Sequence, residues 1–227
     1  MMNDSRELLR RYVAERSEPA FTELVQRHID LVYSAALRQV GGEAPAAQDV
    51  TQAVFTDLAR KAARLTRHTS LTGWLYTSTR YLAAKARRAE QRRRAREQHA
   101  HTMNQLLQST GPDPAWDELR PVLDDVMHEL SAADREAVLL RFFERRPLAE
   151  IGTRLGLSEN AARMRVDRAL DKLRAALAKR GVTSTATALA AVLADEAVSA
   201  APVGLAATVS HTAFAAGAAE HGSWEAG

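Results

Sequence analysis

The chain has 227 residues, 46% hydrophobic but only 5% aromatic, and carries 31 lysines and arginines against 28 acids for a formal charge of +3. That length suits two small domains, or one ordinary domain with tails, with a core built from Leu, Val, Ile and Ala. There is no cysteine, which excludes disulfides, thiolate metal sites and cysteine nucleophiles and fits a cytoplasmic protein.

Helical periodicity begins at once, with Leu8, Leu9, Tyr12 and Val13 at helical spacing. Ser17-Glu18-Pro19 reads as an N-cap and first turn for a second helix. Its apolar face runs through Phe21, Leu24, Val25, His28, Ile29, Val32, Ala36 and Leu37 and stops near Gly41-Gly42. A third helix is predicted from about Pro45 to Ala63, with Val50, Val54, Phe55 and Leu58 inside. Thr69-Ser70 opens a long fourth helix holding Trp74, Tyr76 and Tyr81, which continues into a basic run. No β-branched alternation or Asn-Gly turn interrupts this pattern, so the fold class is all-α. No apolar segment follows a basic N-terminus and no window is apolar enough to span a membrane, so neither a signal peptide nor a membrane span is expected.

From Glu97 to Asp117 the periodicity lapses, and Gly111-Pro112-Asp113-Pro114 stops any helix. The expectation is two small helical domains, 6–96 and 118–180, joined by a flexible linker over 97–117. In the second, Leu119, Val122, Leu123, Val126, Met127 and Leu130 form one amphipathic face. Ser131-Ala132-Ala133-Asp134 resembles a capping box for the next helix, and Pro147 starts another. Past Gly181 the chain is Ala-rich, and Pro202 and Gly204 break it. This stretch, 181–227, is expected as a loosely ordered extension or a regulatory segment that docks on the chain's own domains or on a partner. Ala-rich sequence buries little apolar area per residue.

The strongest motif runs from Leu148 to Leu177. A short helix ends at Gly156, a residue at ease with positive φ, and Ser158 can cap a second helix. Ala149 and Gly152 are small enough to let the two helices cross closely, and Ile151, Leu155, Leu157, Ala162 and Val166 supply a little core. The layout is a helix-turn-helix, whose second helix enters the major groove with its N-terminal half. Arg163, Arg165, Arg168, Lys172 and Arg174 lie mostly outside the apolar stripe of that helix. A basic amphipathic helix alone reads equally well as solvated surface; the glycine turn and the cap favour DNA reading.

The second charged stretch holds Arg80, Lys85, Arg87, Arg88, Arg92, Arg93, Arg94 and Arg96 against Glu90 and Glu97. Such density repels itself unless it meets phosphates. The neighbouring Trp74, Tyr76 and Tyr81 can stack on unpaired bases, with Trp74 expected mainly in the core.

In order, Asp49-Val50-Thr51-Gln52-Ala53-Val54-Phe55, Trp74-Leu75-Tyr76, the basic run, the linker, Leu130–Glu136 and the terminal helix-turn-helix resemble the sigma subunits of bacterial RNA polymerase, specifically the two-domain extracytoplasmic-function class. The resemblance covers about residues 6–180 and implies a transcription initiation factor without catalysis or cofactor. It implies that Asp49, Gln52, Ala53 and Phe55 bind core RNA polymerase on the clamp helices of its largest subunit. Trp74, Tyr76, Arg80, Tyr81, Lys85, Arg87, Arg88 and Arg92 would engage the −10 element of promoter DNA and its phosphates. Ser158, Asn160, Arg163, Met164, Arg165, Asp167 and Arg168 would serve the −35 element, and the linker would pass the RNA-exit region. An anti-sigma factor is a further candidate partner. Ala53 stands where the class often has an acid, Tyr81 where Asn is common and Ser131 where Pro is frequent.

The alternative is a conventional helix-turn-helix regulator that binds duplex DNA without polymerase; it leaves the basic-aromatic first domain without a task. A nucleic-acid enzyme is disfavoured because His28, His68, His99, His101 and His128 are scattered without metal-ligand spacing. An RNA-binding module would use the same arginines and aromatics.

Overall fold

A computed structural model describes residues 5–67, 70–98 and 114–221 of the chain. Regular structure among the described residues is helical: α1 (Ser5–Glu15), α2 (Glu18–Gln39), α3 (Ala44–Leu65), α4 (Leu71–Gln98), α5 (Pro114–Glu129), α6 (Ala132–Val138), a π-helical turn (Leu139–Phe143), α7 (Leu148–Leu155), α8 (Glu159–Ala178), α9 (Ala186–Glu196) and α10 (Leu205–His221). The all-α reading is therefore met. Residues 99–113, most of the expected linker, lie outside the described residues, as does Thr69, while Pro114 already opens α5. No helix among the described residues is long and apolar enough to cross a membrane.

The chain forms two compact units. The first takes the residues up to Leu37, Glu43–Leu82 and those from Ser199 onward. Its helices start where local chemistry satisfies free backbone N–H groups. Ser17 Oγ accepts from the Ala20 N–H at 3.3 Å, and Ser70 Oγ accepts from the Gly73 N–H at 2.8 Å. Pro45 occupies the first turn of α3, where its missing N–H costs nothing. Leu8, Leu9, Tyr12, Phe21, Leu24, Val54, Phe55, Leu58, Leu75 and Tyr76 are buried. The Tyr12 and Phe21 rings lie 4.7 Å apart in a tilted pair. His28 is a core residue, its Nε2 sharing a hydrogen bond of 2.9 Å with Ser5 Oγ.

The extension is ordered to an extent the Ala-rich sequence does not announce. α10 packs along α3 in this unit. The approach to it is fixed on α2: Ser199 N–H donates to Ser34 Oγ at 2.8 Å, and Ala201 N–H to Asp30 Oδ1 at 2.8 Å. Pro202 and Gly204, expected as breakers, lie between α9 and α10.

The second unit takes Arg38–Gly42 and Ala83–Val198. α8 is its spine, with α5, α6, α7 and α9 packed on it. Leu123, Val126, Met127, Leu139, Leu140, Ala169, Leu173, Leu177, Leu189 and Leu193 are buried there. The π-turn closes with Glu144 N–H on the Leu139 carbonyl at 3.0 Å. It places Leu139, Leu140, Phe142 and Phe143 all in the interior, which one face of a narrow α-helix does not allow. Glu144, its side chain only 5% exposed, joins Arg146 at 3.2 Å and Arg154 at 3.6 Å, tying this turn to α7. Arg38 is 4% exposed at its side chain and forks onto Asp124 at 3.0 and 3.2 Å. It also donates to the Ala197 carbonyl at 2.6 Å and stands 5.4 Å from the Phe143 ring centre.

Candidate nucleic-acid interface

The turn between α7 and α8 has the predicted geometry. Gly156 adopts φ 66° and ψ 35°, the left-handed region that favours glycine, and its N–H closes the end of α7. The Leu157 N–H then reaches back to the Gly152 carbonyl at 2.8 Å. Ser158 caps α8, its Oγ accepting from the Ala161 N–H at 3.2 Å. A Cβ on Gly152 would stand 2.7 Å from the Leu157 carbonyl oxygen, so glycine is needed because the turn folds back on it. Ala149, expected in the helix crossing, is instead exposed: its position on α7 points away from α8. Ile151, Ala162 and Leu140 form the small core, with Leu148 and Leu155 packed on it.

That core sets the phase of α8. Ala162, Val166, Ala169, Leu170, Leu173 and Leu177 are inside, so Asn160, Arg163, Met164, Asp167 and Arg168 are exposed on the other side. At 100° per residue these five occupy one face over two turns. Met164 is 58% exposed, a large apolar side chain left in water. Arg168 Nε donates to the Met164 carbonyl at 3.0 Å, which holds its stem along the helix. Arg165 is half-buried at the margin of the face. Lys172, though largely in water, is engaged within the unit: its ammonium bonds the Asp134 carboxylate at 2.6 Å. Burial alone would raise the Asp134 carboxyl, but hydrogen bonds from Lys172 and Ser131, with the charges of Lys172 and Arg165, hold it below the usual carboxylate range. Arg174 lies 3.6 Å from Asp171.

α4 separates its predicted residues by angle. Trp74, Tyr81, Lys85, Arg88 and Arg92 fall within an arc of about 60° at 100° per residue. Tyr81 is 66% exposed, Lys85, Arg88 and Arg92 are exposed, and Trp74 is half-buried at the start of the stripe. Trp74 is thus less of a core residue than expected. Arg80 and Arg87 occupy an adjoining side, where Arg87 Nη1 donates to the Gln39 carbonyl at 3.4 Å. Tyr76 corrects the expectation of a base-stacking ring: it is 0% exposed, because its position on α4 points into the core with Leu75 and Thr79. The side chains of Arg93, Arg94 and Arg96 lie outside what the structure describes.

On α3, Asp49 is exposed, and Gln52 and Ala53 are half-buried. Phe55, predicted with them, is 0% exposed and belongs to the core, since it shares its side of the helix with Leu58 and Ala62. Its ring offers a partner no surface. The extension, expected as loosely ordered or as docking on the chain's own domains or a partner, supplies α10, which packs against this same helix. The apolar spacing of Leu205, Val209 and Phe214 was the only local signal for it.

Comparison with known proteins adds an independent line. The description "Sigma-70 region 2" matches residues 24–93, and "Sigma-70, region 4" matches residues 126–175. The RNA polymerase sigma factor CarQ of Myxococcus xanthus is 33% identical to this chain over 158 residues, 70% of this chain and 89% of CarQ. Residues 181–227 lie beyond both matched regions.

Proposed function

We infer, for a chain that belongs to the sigma-70 family of RNA polymerase sigma factors and to its two-domain extracytoplasmic-function class, how its own surfaces divide the work of promoter recognition. A sigma factor binds core RNA polymerase and directs promoter recognition and transcription initiation. The observation that carries the division is that one chain presents two different faces: a mixed polar face on α8 beyond a left-handed glycine turn, and an aromatic-basic stripe on α4.

The α8 face reads duplex DNA at the −35 element. An arginine such as Arg163 or Arg168 can grip guanine O6 and N7 together, Asp167 can accept from cytosine N4, and Met164 can meet a thymine methyl. Ser158 and Asn160, at the N-terminus of α8, sit where free N–H groups and the helix dipole favour a phosphate. The α4 stripe engages the −10 element. Lys85, Arg88 and Arg92 follow the backbone, and Tyr81 and Trp74 offer ring faces to bases leaving the stack. Arg80 and Arg87 add positive charge from the flank; Tyr76 acts by holding α4 in place.

Strand opening then follows from differential affinity: a surface that binds unpaired bases better than paired ones shifts the equilibrium towards the open strand. The phosphoryl transfer belongs to the polymerase, and this chain supplies positioning without catalysis or cofactor. α3 presents Asp49, Gln52 and Ala53 to the core polymerase. The site of action is the cytoplasm, and an anti-sigma factor is a further partner the class admits.

Run-off transcription from a library of promoter fragments tests this reading. Bacterial core polymerase with the protein should yield defined transcripts that core alone does not. Tight binding to intact duplex, with no transcripts and no co-elution with core polymerase, would overturn it in favour of a conventional regulator.

A further inference from the structure

The helix given above to polymerase binding already carries a ligand from its own chain. α10 lies against α3 and α1: a Cβ on Gly217 would overlap the Tyr12 hydroxyl and stand 3.0 Å from the Ala59 Cβ. The Phe214 and Tyr12 ring centres are 6.0 Å apart, and Val209 and Ala213 are fully buried. Ala59 is seven residues from Gln52, so the two share one side of α3 two turns apart. The Gln52 side-chain nitrogen is buried without a hydrogen-bond partner among the described residues, a state a protein normally avoids. Asp49, further round the helix, stays exposed.

Beside Val209 and Phe214 the contact uses a glycine: Gly217 lets the α10 backbone come close to Ala59 of α3. The segment before it is pinned to α2 through Ser199 and Ala201, so a displaced α10 stays tethered beside its site.

We propose that α10 is an intramolecular cover on the Gln52–Ala59 flank of α3, and that it must leave for core polymerase to engage this helix fully. The proposal rests on the reading of α3 as the polymerase-docking helix. The Gln52 amide, without a partner among the described residues in the covered state, gains one when the polymerase replaces α10. The extension thereby sets the fraction of protein competent to form holoenzyme.

The test uses the full chain, labelled at its N-terminus, and purified core polymerase. Gly217→Leu, which cannot fit against Tyr12 and Ala59, should bind core more tightly. The gain is the inverse of the competent fraction, so a tenth of the protein open would give about tenfold. Phe214→Ala is the milder variant and decides if Gly217→Leu lowers the melting temperature of the whole chain. In the wild type, backbone amides of α10 should lose hydrogen-exchange protection when core is added. Protection retained in the complex, or both variants binding no more tightly than wild type, overturns the cover. Asp49→Arg, on the exposed part of α3, separates the two claims. If it binds core as wild type does, the docking assignment falls and the cover falls with it; if it loses binding, the behaviour of α10 alone decides.

Discussion

The Lys172 ammonium bonds the Asp134 carboxylate at 2.6 Å across 38 residues of chain, and so ties the N-terminus of α6 to the middle of α8. Asp134 also supplies the N–H that Ser131 caps, so one residue completes a helix start and anchors the DNA-facing helix. Its carboxyl is held below the usual range, against the upward push of burial, by Lys172 and Ser131. A depressed folded-state pKa means that its stabilisation is complete above the unfolded value of about 4. It is lost as pH falls through the folded value. Asp134→Asn should therefore lower stability at neutral pH by about 1 kcal/mol, since Lys172 is largely in water. It should also flatten the loss of stability below about pH 4. Urea unfolding at pH 7 and at pH 3, wild type against variant, checks both.

Gly152 and Ala149 sit on the same short helix with opposite surroundings. Gly152→Ala drives a methyl towards the Leu157 carbonyl oxygen and should cost about 1–3 kcal/mol and weaken promoter binding. Ala149→Lys, on exposed surface, should stay within about 0.5 kcal/mol of wild type. Thermal melts of the two variants distinguish a turn that needs glycine from a helix crossing that needs small residues.

Arg163 and Arg88 should fail in different ways. Arg163→Ala is expected to lose about 1–3 kcal/mol at one −35 base pair and to relax the preference there. Arg88→Ala should weaken all promoters alike and reduce the slope of log affinity against log salt by about one. Holoenzyme binding to a −35 mutant series, titrated with salt, is the measurement.

Tyr76 and Tyr81 are five residues apart on α4, one buried and one in water. Tyr76→Ala should destabilise the first unit by about 3–5 kcal/mol. Tyr81→Ala should leave the melting temperature in place and cost about 1–3 kcal/mol of strand opening. Permanganate reactivity of −10 thymines in the holoenzyme complex reads the second effect separately from the first.

Arg38 and Asp124 are both nearly removed from water, at 4% and 8% side-chain exposure. Arg38→Ala leaves a buried carboxylate without its guanidinium and should cost about 3–5 kcal/mol. Adding Asp124→Ala to it should restore part of that loss, because the buried carboxylate that lost its guanidinium is gone. A double-mutant cycle by urea unfolding gives the coupling directly.

The helices, their starts and the αL turn were legible in the amino-acid sequence because they depend on neighbours in the chain. Ser17, Ser70, Ser131 and Ser158 cap what they precede, and Gly156 adopts the positive φ that its place after Leu155 implies. The exposed face of α8 was equally readable, since six apolar residues at spacings of three and four fix the helix phase. The order of the motifs was enough to identify the family. On α4 the apolar pattern is diluted by the arginines, and only packing decides that Tyr76 turns inward while Tyr81 does not. Phe55 likewise follows the core of the first unit and not the motif that contains it. The π-turn, the Arg38 fork and the docking of α10 on α3 came from tertiary structure alone. The Arg38 fork and the α10 contact join groups far apart in the chain, and α10 meets residues more than 150 positions earlier partly through alanine and glycine, whose side chains are too small to strengthen the weak periodic signal of Val209 and Phe214.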